Sequence, residues 1–259
     1  MLVASFVIAL IIEIGLPFGL AIWSIKRHGL TWRIIGIGAV AIMAAQIANS
    51  IVINYLSGLI TGGSLPAFNN STYVLYNVLV AGVVSIGLQG LARWASFKMV
   101  KGEESKPATA WGLAVGHGGM EILLTGAQIL FNLITIFSIT SNGVESLGLS
   151  AEETAAMSEQ IAQFWAFPIY IPLLDALQCC VFFAFQFLAS TMMGLSFALN
   201  KKIWIASSIL VQLALFCLIT TLSLLDIPIW FYAILLVGFL SGAVWGVRQL
   251  RKLYPQQAA

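Results

Sequence analysis

Charge is what this sequence has least of. Aspartate, glutamate, lysine and arginine together make up 8% of the 259 residues, roughly a third of their share in an ordinary soluble domain. Too few charges are present to hydrate a globular surface, which excludes a soluble fold. Histidine is scarcer still, with only His28 and His117. That count excludes a three-histidine zinc site, and with His28 at the end of an apolar run it also excludes a haem held between two intramembrane histidines. Cys179, Cys180 and Cys217 all fall inside apolar runs and imply no disulfide framework. The chain lacks a Gly-x-Ser-x-Gly elbow for a serine nucleophile, a basic patch interleaved with aromatics for nucleic acid, and a visible internal repeat of the kind many transporters carry. No cofactor and no metal is expected.

Apolar sequence fills the space that charge leaves. The chain is 60% hydrophobic with a mean hydropathy of +0.97. Runs long enough to cross a bilayer, at roughly 20 residues each, begin near Leu2, Ile34, Tyr73, Trp111, Ile171, Ile203 and Pro228. The expected fold is all-α: a polytopic transmembrane helix bundle of about seven spans, forming a single integral domain over 1–259. The opening segment has no basic n-region, so the first span is expected to be retained rather than cleaved as a signal peptide.

The twelve basic residues alternate between loops. Lys26, Arg27 and Arg33 follow the first run, Arg93, Lys98, Lys101 and Lys106 the third, Lys201 and Lys202 the fifth, and Arg248, Arg251 and Lys252 the last. The intervening loops hold Glu145, Glu152, Glu153, Glu159 and Asp226 and no base. The positive-inside rule places the N-terminus outside and the C-terminus in the cytoplasm, with a bacterial cytoplasmic membrane as the expected location. Membrane lipids are the first expected partners. Trp23, Trp32, Tyr73 and Trp230 read as interfacial anchors.

Loop 141–163 has structure of its own, because Ser150 followed by Glu153 is a capping box opening a short outer amphipathic helix. Pro168 and Pro172 bracket a segment expected to bend or re-enter before the fifth span. Asn70-Ser71-Thr72 matches a glycosylation sequon, which matters only in a eukaryotic secretory pathway.

Ionisable groups at membrane depth cost about 2.5–3.5 kcal/mol each on insertion scales, so each is a functional candidate. They are Glu13, His117, Glu121 and Asp175, with Arg93 near the end of the third span. Spacing of four puts His117 and Glu121 on one helix face, where they could hydrogen-bond or share a proton. Gly112, Gly116 and Gly119 form a bare stripe along that helix, thinned further by Gly118, so that another backbone can approach. The structural readings are a buried His and Glu that satisfy each other, a Glu13 that bonds donors freed at Pro17, an Asp175 that caps the fifth span, and an Arg93 that snorkels to the inner headgroups.

The segment "WGLAVGHGGMEILLTG" resembles the Gly-His-Gly-Gly-x-Glu segment of the YhfC family of glutamic-type intramembrane proteases, distantly similar to the CAAX-processing prenyl proteases. The likeness extends to "EIGLPFGLAIWSIKR", "GAVAIMAAQIANSIVINYL", "GLQGLARW", "LQCCVFFAFQFLAS" and "ILVQLALF". The resemblance implies a carboxylate that activates water, with histidines and an Arg or Asn stabilising the oxyanion. Carried over, a Glu-Glu pair falls on Gln89 and Gly90, its Arg on Arg93, a later Glu on Gln178, and two histidines on Gln186 and Gln212. His117, Glu121 and Arg93 are what remains. Glutamine keeps hydrogen-bonding shape but takes no proton near neutral pH, and losing a general base usually costs about two to four powers of ten in rate.

The leading expectation is therefore a protease fold without protease activity, a membrane subunit that binds another integral membrane protein or transmembrane helix. Two alternatives stand beside it: an active intramembrane peptidase using Glu121 and His117, and a proton or solute transporter lined by Glu13, His117, Glu121 and Asp175. No nucleic-acid partner is expected.

Overall fold

The structure, a computed structural model, describes residues 1–63, 80–225 and 227–255. These residues form eight α-helices: α1 (Leu2–His28), α2 (Trp32–Thr61), α3 (Gly82–Met99), α4 (Pro107–Asn142), α5 (Ala151–Trp165), α6 (Ile171–Ala198), α7 (Ile203–Leu224) and α8 (Ile229–Arg251). Helix is what the composition dictates, since in lipid every backbone N–H and C=O must be paired within its own segment. Six of these helices, all but α3 and α5, are long and apolar enough to span a membrane. The run expected from Tyr73 overlaps residues 64–79, outside the described residues, as do the sequon and Asp226. Its basic end is α3.

Local signals set several boundaries. Gly29 ends α1 at φ 63°, its amide donating to the Ile25 carbonyl, a left-handed cap open to glycine at no Cβ cost. Pro107 and Pro172 sit in the first turns of α4 and α6, where a missing amide is harmless. The segment between α5 and α6 is a short turn rather than a re-entrant piece.

The two central helices are α4 and α6. Helix α4 packs on α1, α2 and α6, while α6 also carries α7, α8 and part of α1, and α3 lies between α2 and α7. Side chains that reach lipid stay apolar, among them Ile11, Val40, Ile47, Ile51, Phe131 and Trp245. One buried cluster joins Leu30, Phe97, Leu113, Met193, Leu195 and Tyr254, so all four basic chain segments gather at the same end of the bundle. There Trp111 donates to Ser24 Oγ at 2.9 Å and lies under the Arg251 guanidinium, and Tyr254 donates its hydroxyl to the Thr191 carbonyl at 3.0 Å. Burial pushes the Tyr254 phenol above its ordinary value. Trp23, Trp32 and Trp230 are all exposed, and Trp23 also packs on His28 and Trp111.

Helix α5 lies at the opposite end, tied down by the Phe6–Phe164 stack and the Phe137–Trp165 edge contact. Its capping box is complete: the Glu153 amide donates to Ser150 Oγ, and the Ser150 amide and hydroxyl donate to the Glu153 carboxylate at 2.9 and 2.7 Å. Those bonds hold the Glu153 carboxyl below the usual value of 4.5. A carboxyl depressed in the folded state supports α5 above its ordinary value and loses that contribution as pH falls below it and through the lowered folded-state value. Protection of the first-turn amides of α5 against exchange, relative to the intrinsic rate at each pH, is expected to fall below about pH 4.5, and Ser150→Ala is expected to produce the same fraying at neutral pH.

Candidate functional site

The Gly-His-Gly-Gly segment is wedged among three helices. Successive helical residues point about 100° apart, so each glycine meets a different neighbour. A Cβ on Gly116 would run into the backbone of α2, with the Ile35 carbonyl carbon at 2.8 Å and the Ala39 nitrogen at 2.9 Å. On Gly118 it would strike Phe183 and Gln186 of α6, and on Gly119 it would lie 3.3 Å from Pro17 of α1. Gly112 faces Ile34 and Leu30. The expected single stripe is thus divided: Gly112 and Gly116 serve the α2 crossing, Gly118 faces α6 and Gly119 faces α1.

One turn further on, Glu121 joins a polar network drawn from four helices. Gln186 of α6 is its hub. Its amide nitrogen donates to Glu121 Oε2 at 2.5 Å and to Gln89 Oε1 at 3.3 Å. Its oxygen accepts from Arg93 Nη2 and, at 2.8 Å, from Gln212 Nε2. Gln89 Nε2 donates to Glu121 Oε1 at 3.3 Å, and Arg93 Nη1 donates to Gln212 Oε1 at 2.7 Å. A carboxamide has two N–H donors and two oxygen lone pairs, and Gln186 uses all four. Among the described residues it links the one buried cation to the one hydrogen-bonded intramembrane carboxylate, with no ion pair between them.

The network forms one wall of a cavity of about 260 Å³. Glu121, Gln89, Gln186 and Gln212 line it together with Gln46, Ser85, Thr125, Asp175 and Gln178 and the apolar side chains of Phe182, Phe185 and Phe216. Polar groups from all the contributing helices line the cavity, with Phe182 and Phe185 of α6 and Phe216 of α7 set among them, a surface suited to a chain with both peptide and apolar groups.

Most sites expected from sequence converge here, and several local readings are corrected. Arg93 does not snorkel: it is fully buried and turned into the bundle. His117 does not bond Glu121, because both ring nitrogens are buried without a partner. The side chains on adjacent turns diverge, Glu121 toward Gln89 and Gln186. Glu13 is fully buried and its two oxygens accept no hydrogen bond among the described residues, so it does not bond donors at Pro17. Asp175 caps nothing, because α6 starts at Ile171 with Tyr170 as its N-cap, leaving Asp175 inside the helix and on the cavity wall. Gln178 lines the same cavity but accepts from Tyr232 at 2.6 Å, outside the network. Gly90 gives space to Ile209. Gln46, Ser85, Thr125 and Tyr232 were not singled out by the sequence reading; each is a single polar residue in an apolar run, with no spacing that marks it.

The sequence model of the YhfC intramembrane metalloprotease family matches residues 12–236. The chain belongs to this family. No curated protein and no solved structure is significantly similar to it. The family's description names a metal-dependent protease, whereas the resemblance read from sequence implied a glutamic one, so the donors decide whether this YhfC member could hold a metal. Among the described residues no group of three His, Cys, Asp or Glu side chains is placed to bind one. The groups bonded to Glu121 are carboxamides, weak ligands for zinc, which favours imidazole, thiolate and carboxylate, and Asp175 on the same cavity wall completes no three-donor group with it. The Arg93 guanidinium also repels a second cation from the centre. His117 and Glu121 give two ligands at most, and their side chains diverge. The described residues do not fit a catalytic metal.

Proposed function

We propose that this YhfC-family protein is an integral membrane protein without peptidase activity, in which the former site is a polar core and intramembrane cavity that receives a segment of another membrane protein. The saturated Gln186 hub carries this reading. At the place that the resemblance assigns to a histidine stands an amide whose four hydrogen-bonding positions are all taken, and Glu121 is held by two amide donors with no titratable base beside it. General-base chemistry needs a group that accepts and returns a proton, and neither Gln89, Gln186 nor Gln212 does so. The cavity retains what binding requires, namely hydrogen-bonding groups with the rings of Phe182, Phe185 and Phe216 set among them. The basic end faces the cytoplasm and the membrane is a bacterial cytoplasmic membrane in this reading.

The test is affinity purification of tagged protein in mild detergent, comparing the intact chain with Glu121→Gln and identifying bound and cleaved membrane proteins by mass spectrometry. A stoichiometric, uncleaved partner on the intact chain is expected, with zinc in the purified protein well below one equivalent by elemental analysis. A partner cut by the intact chain and captured whole by Glu121→Gln would overturn the proposal in favour of hydrolysis through Glu121.

A further inference from the structure

Both ring nitrogens of His117, Arg93 Nε and Ser190 Oγ are buried and make no hydrogen bond among the described residues. The three residues belong to α4, α3 and α6 and are 1%, 0% and 0% exposed. Buried polar groups without partners are costly and rare, and each asks for an explanation. None of the three lines the cavity described above.

The helix registers bring them to one level. Between α4 and α6, a Cβ on Gly118 would lie 2.9 Å from the Gln186 Cβ, and about two turns on a Cβ on Gly194 would lie 3.0 Å from the Ala110 Cβ. Between α3 and α6, Gln186 donates to Gln89, and the Gly194 position faces the Phe97 ring at 3.3 Å. Midway between Gln186 and Gly194 stands Ser190. The corresponding midpoints are Arg93 on α3 and the small, fully buried Ala114 on α4. His117, one turn beyond Ala114, projects between the directions of Gly116 and Gly118 and away from Gly119, the side from which Glu121 reaches Gln89 of α3. The Arg93 charge acts on its ring. The Gln186 hub closes this level on one side, and Phe97, Leu113, Met193 and Tyr254 close it toward the basic end.

The donor set selects the occupant. Arg93 Nε–H only donates, the Ser190 hydroxyl donates and accepts, and a neutral imidazole does one of each. A cation would meet the guanidinium, and an anion would meet the bare imidazole nitrogen. Water both accepts and donates, and a buried water typically makes about three hydrogen bonds. We infer that this level is an internal water site: the water accepts from Arg93 Nε–H and the Ser190 hydroxyl and donates to the bare nitrogen of His117. It joins His117 to the network through Arg93 rather than through Glu121 and fixes the tautomer of the ring.

The experiment uses the full chain in lipid bilayers, with histidine labelled in nitrogen. His28 and His117 are the two histidines, and His117→Gln assigns their signals. Solid-state NMR measures magnetisation transfer from water protons to each ring nitrogen, and the shift of the bare nitrogen reports whether it accepts a hydrogen bond. In the intact chain, transfer to His117 and a hydrogen-bonded bare nitrogen are expected. Ser190→Val removes a donor and places a methyl where the water sits, and is expected to cut the transfer several-fold. Ser190→Ala removes the donor alone, is expected to act more weakly in the same direction, and provides the reading if the valine variant fails to fold. Ser208→Ala is the control, because that hydroxyl already donates to the Ala189 carbonyl at 2.8 Å, and it should leave the transfer unchanged. Absence of transfer to His117 in the intact chain, or equal transfer in the intact chain and the Ser190 variants, would overturn the inference. So would His117 signals that move when bromide replaces chloride, which would make the occupant an anion.

Discussion

Arg93→Met is expected to destabilise the folded protein by about 3–5 kcal/mol, the range for breaking a buried charge arrangement by removing one partner. The effect is large because of what the change leaves behind. Arg93 is fully buried and donates to Gln186 and Gln212, and Gln186 passes that polarity to Glu121 through its amide nitrogen. Without the guanidinium, Gln212 Oε1 loses its donor, the Gln186 oxygen keeps only Gln212 Nε2, and Glu121 remains as a half-buried carboxylate with no cation in its network. The second variant separates this account from simple loss of packing: Arg93→Met/Glu121→Gln removes both charges and is expected to regain a substantial part of the loss. Unfolding in mixed detergent micelles measures both, and the difference between observed and summed effects is the coupling. A cost below about 1 kcal/mol for Arg93→Met would mean an arginine that reaches headgroups, as an exposed charge contributes little. Gln186→His should behave like a weaker version of Arg93→Met, because a neutral imidazole has one donor and one acceptor where the hub uses two of each.

Six of the seven expected runs were legible because bilayer thickness imposes a run length, and those starting at Leu2, Ile171 and Ile203 coincide with helix starts; the run from Tyr73 overlaps residues outside the described ones. Helix α5 was legible from two residues, Ser150 and Glu153, since a capping box is a local motif whose partners lie three positions apart. The network was not legible from composition or spacing. Gln89, Glu121, Gln186 and Gln212 lie on four helices, and nothing in a single helix says which way a lone glutamine points. The family resemblance placed them together, and the structure adds how they bond. Where the local reading failed, it assumed the nearest partner along the chain: Pro17 for Glu13, the headgroups for Arg93, Glu121 for His117. For Arg93 the partners across the interface, Gln186 and Gln212, are as near as the headgroups, while Glu13 and His117 are buried with no hydrogen-bond partner among the described residues.

Gly116→Ala is expected to cost about 1–3 kcal/mol or more, the range for overpacking a close-packed interior, while Gly119→Ala costs little. The two positions differ in what an added methyl meets. At Gly116 it meets α2 backbone, which cannot rotate aside as a side chain does, so the helices must separate. Gly38 on α2 is the reciprocal contact, a Cβ there falling 3.2 Å from the Gly116 Cα. Small residues facing each other in this way let transmembrane helices approach closely, and dispersion between them replaces the hydrophobic effect that lipid does not provide. At Gly119 the methyl meets the Pro17 Cβ at 3.3 Å, a side-chain contact that yields by a few tenths of an ångström. Gly15→Ala, with open space around it, is the control and should be neutral. The consequence extends to the site, because α4 carries Glu121 one turn beyond this crossing. Displacing α4 from α2 moves Glu121 relative to Gln186, whose bonds tolerate little change in distance. Gly118→Ala should act on the network more directly, since its methyl would press on Gln186 itself. If Gly116→Ala and Gly15→Ala proved equally stable in mixed micelles, the close α2–α4 crossing would be wrong, and with it the reason for glycines on both sides of His117.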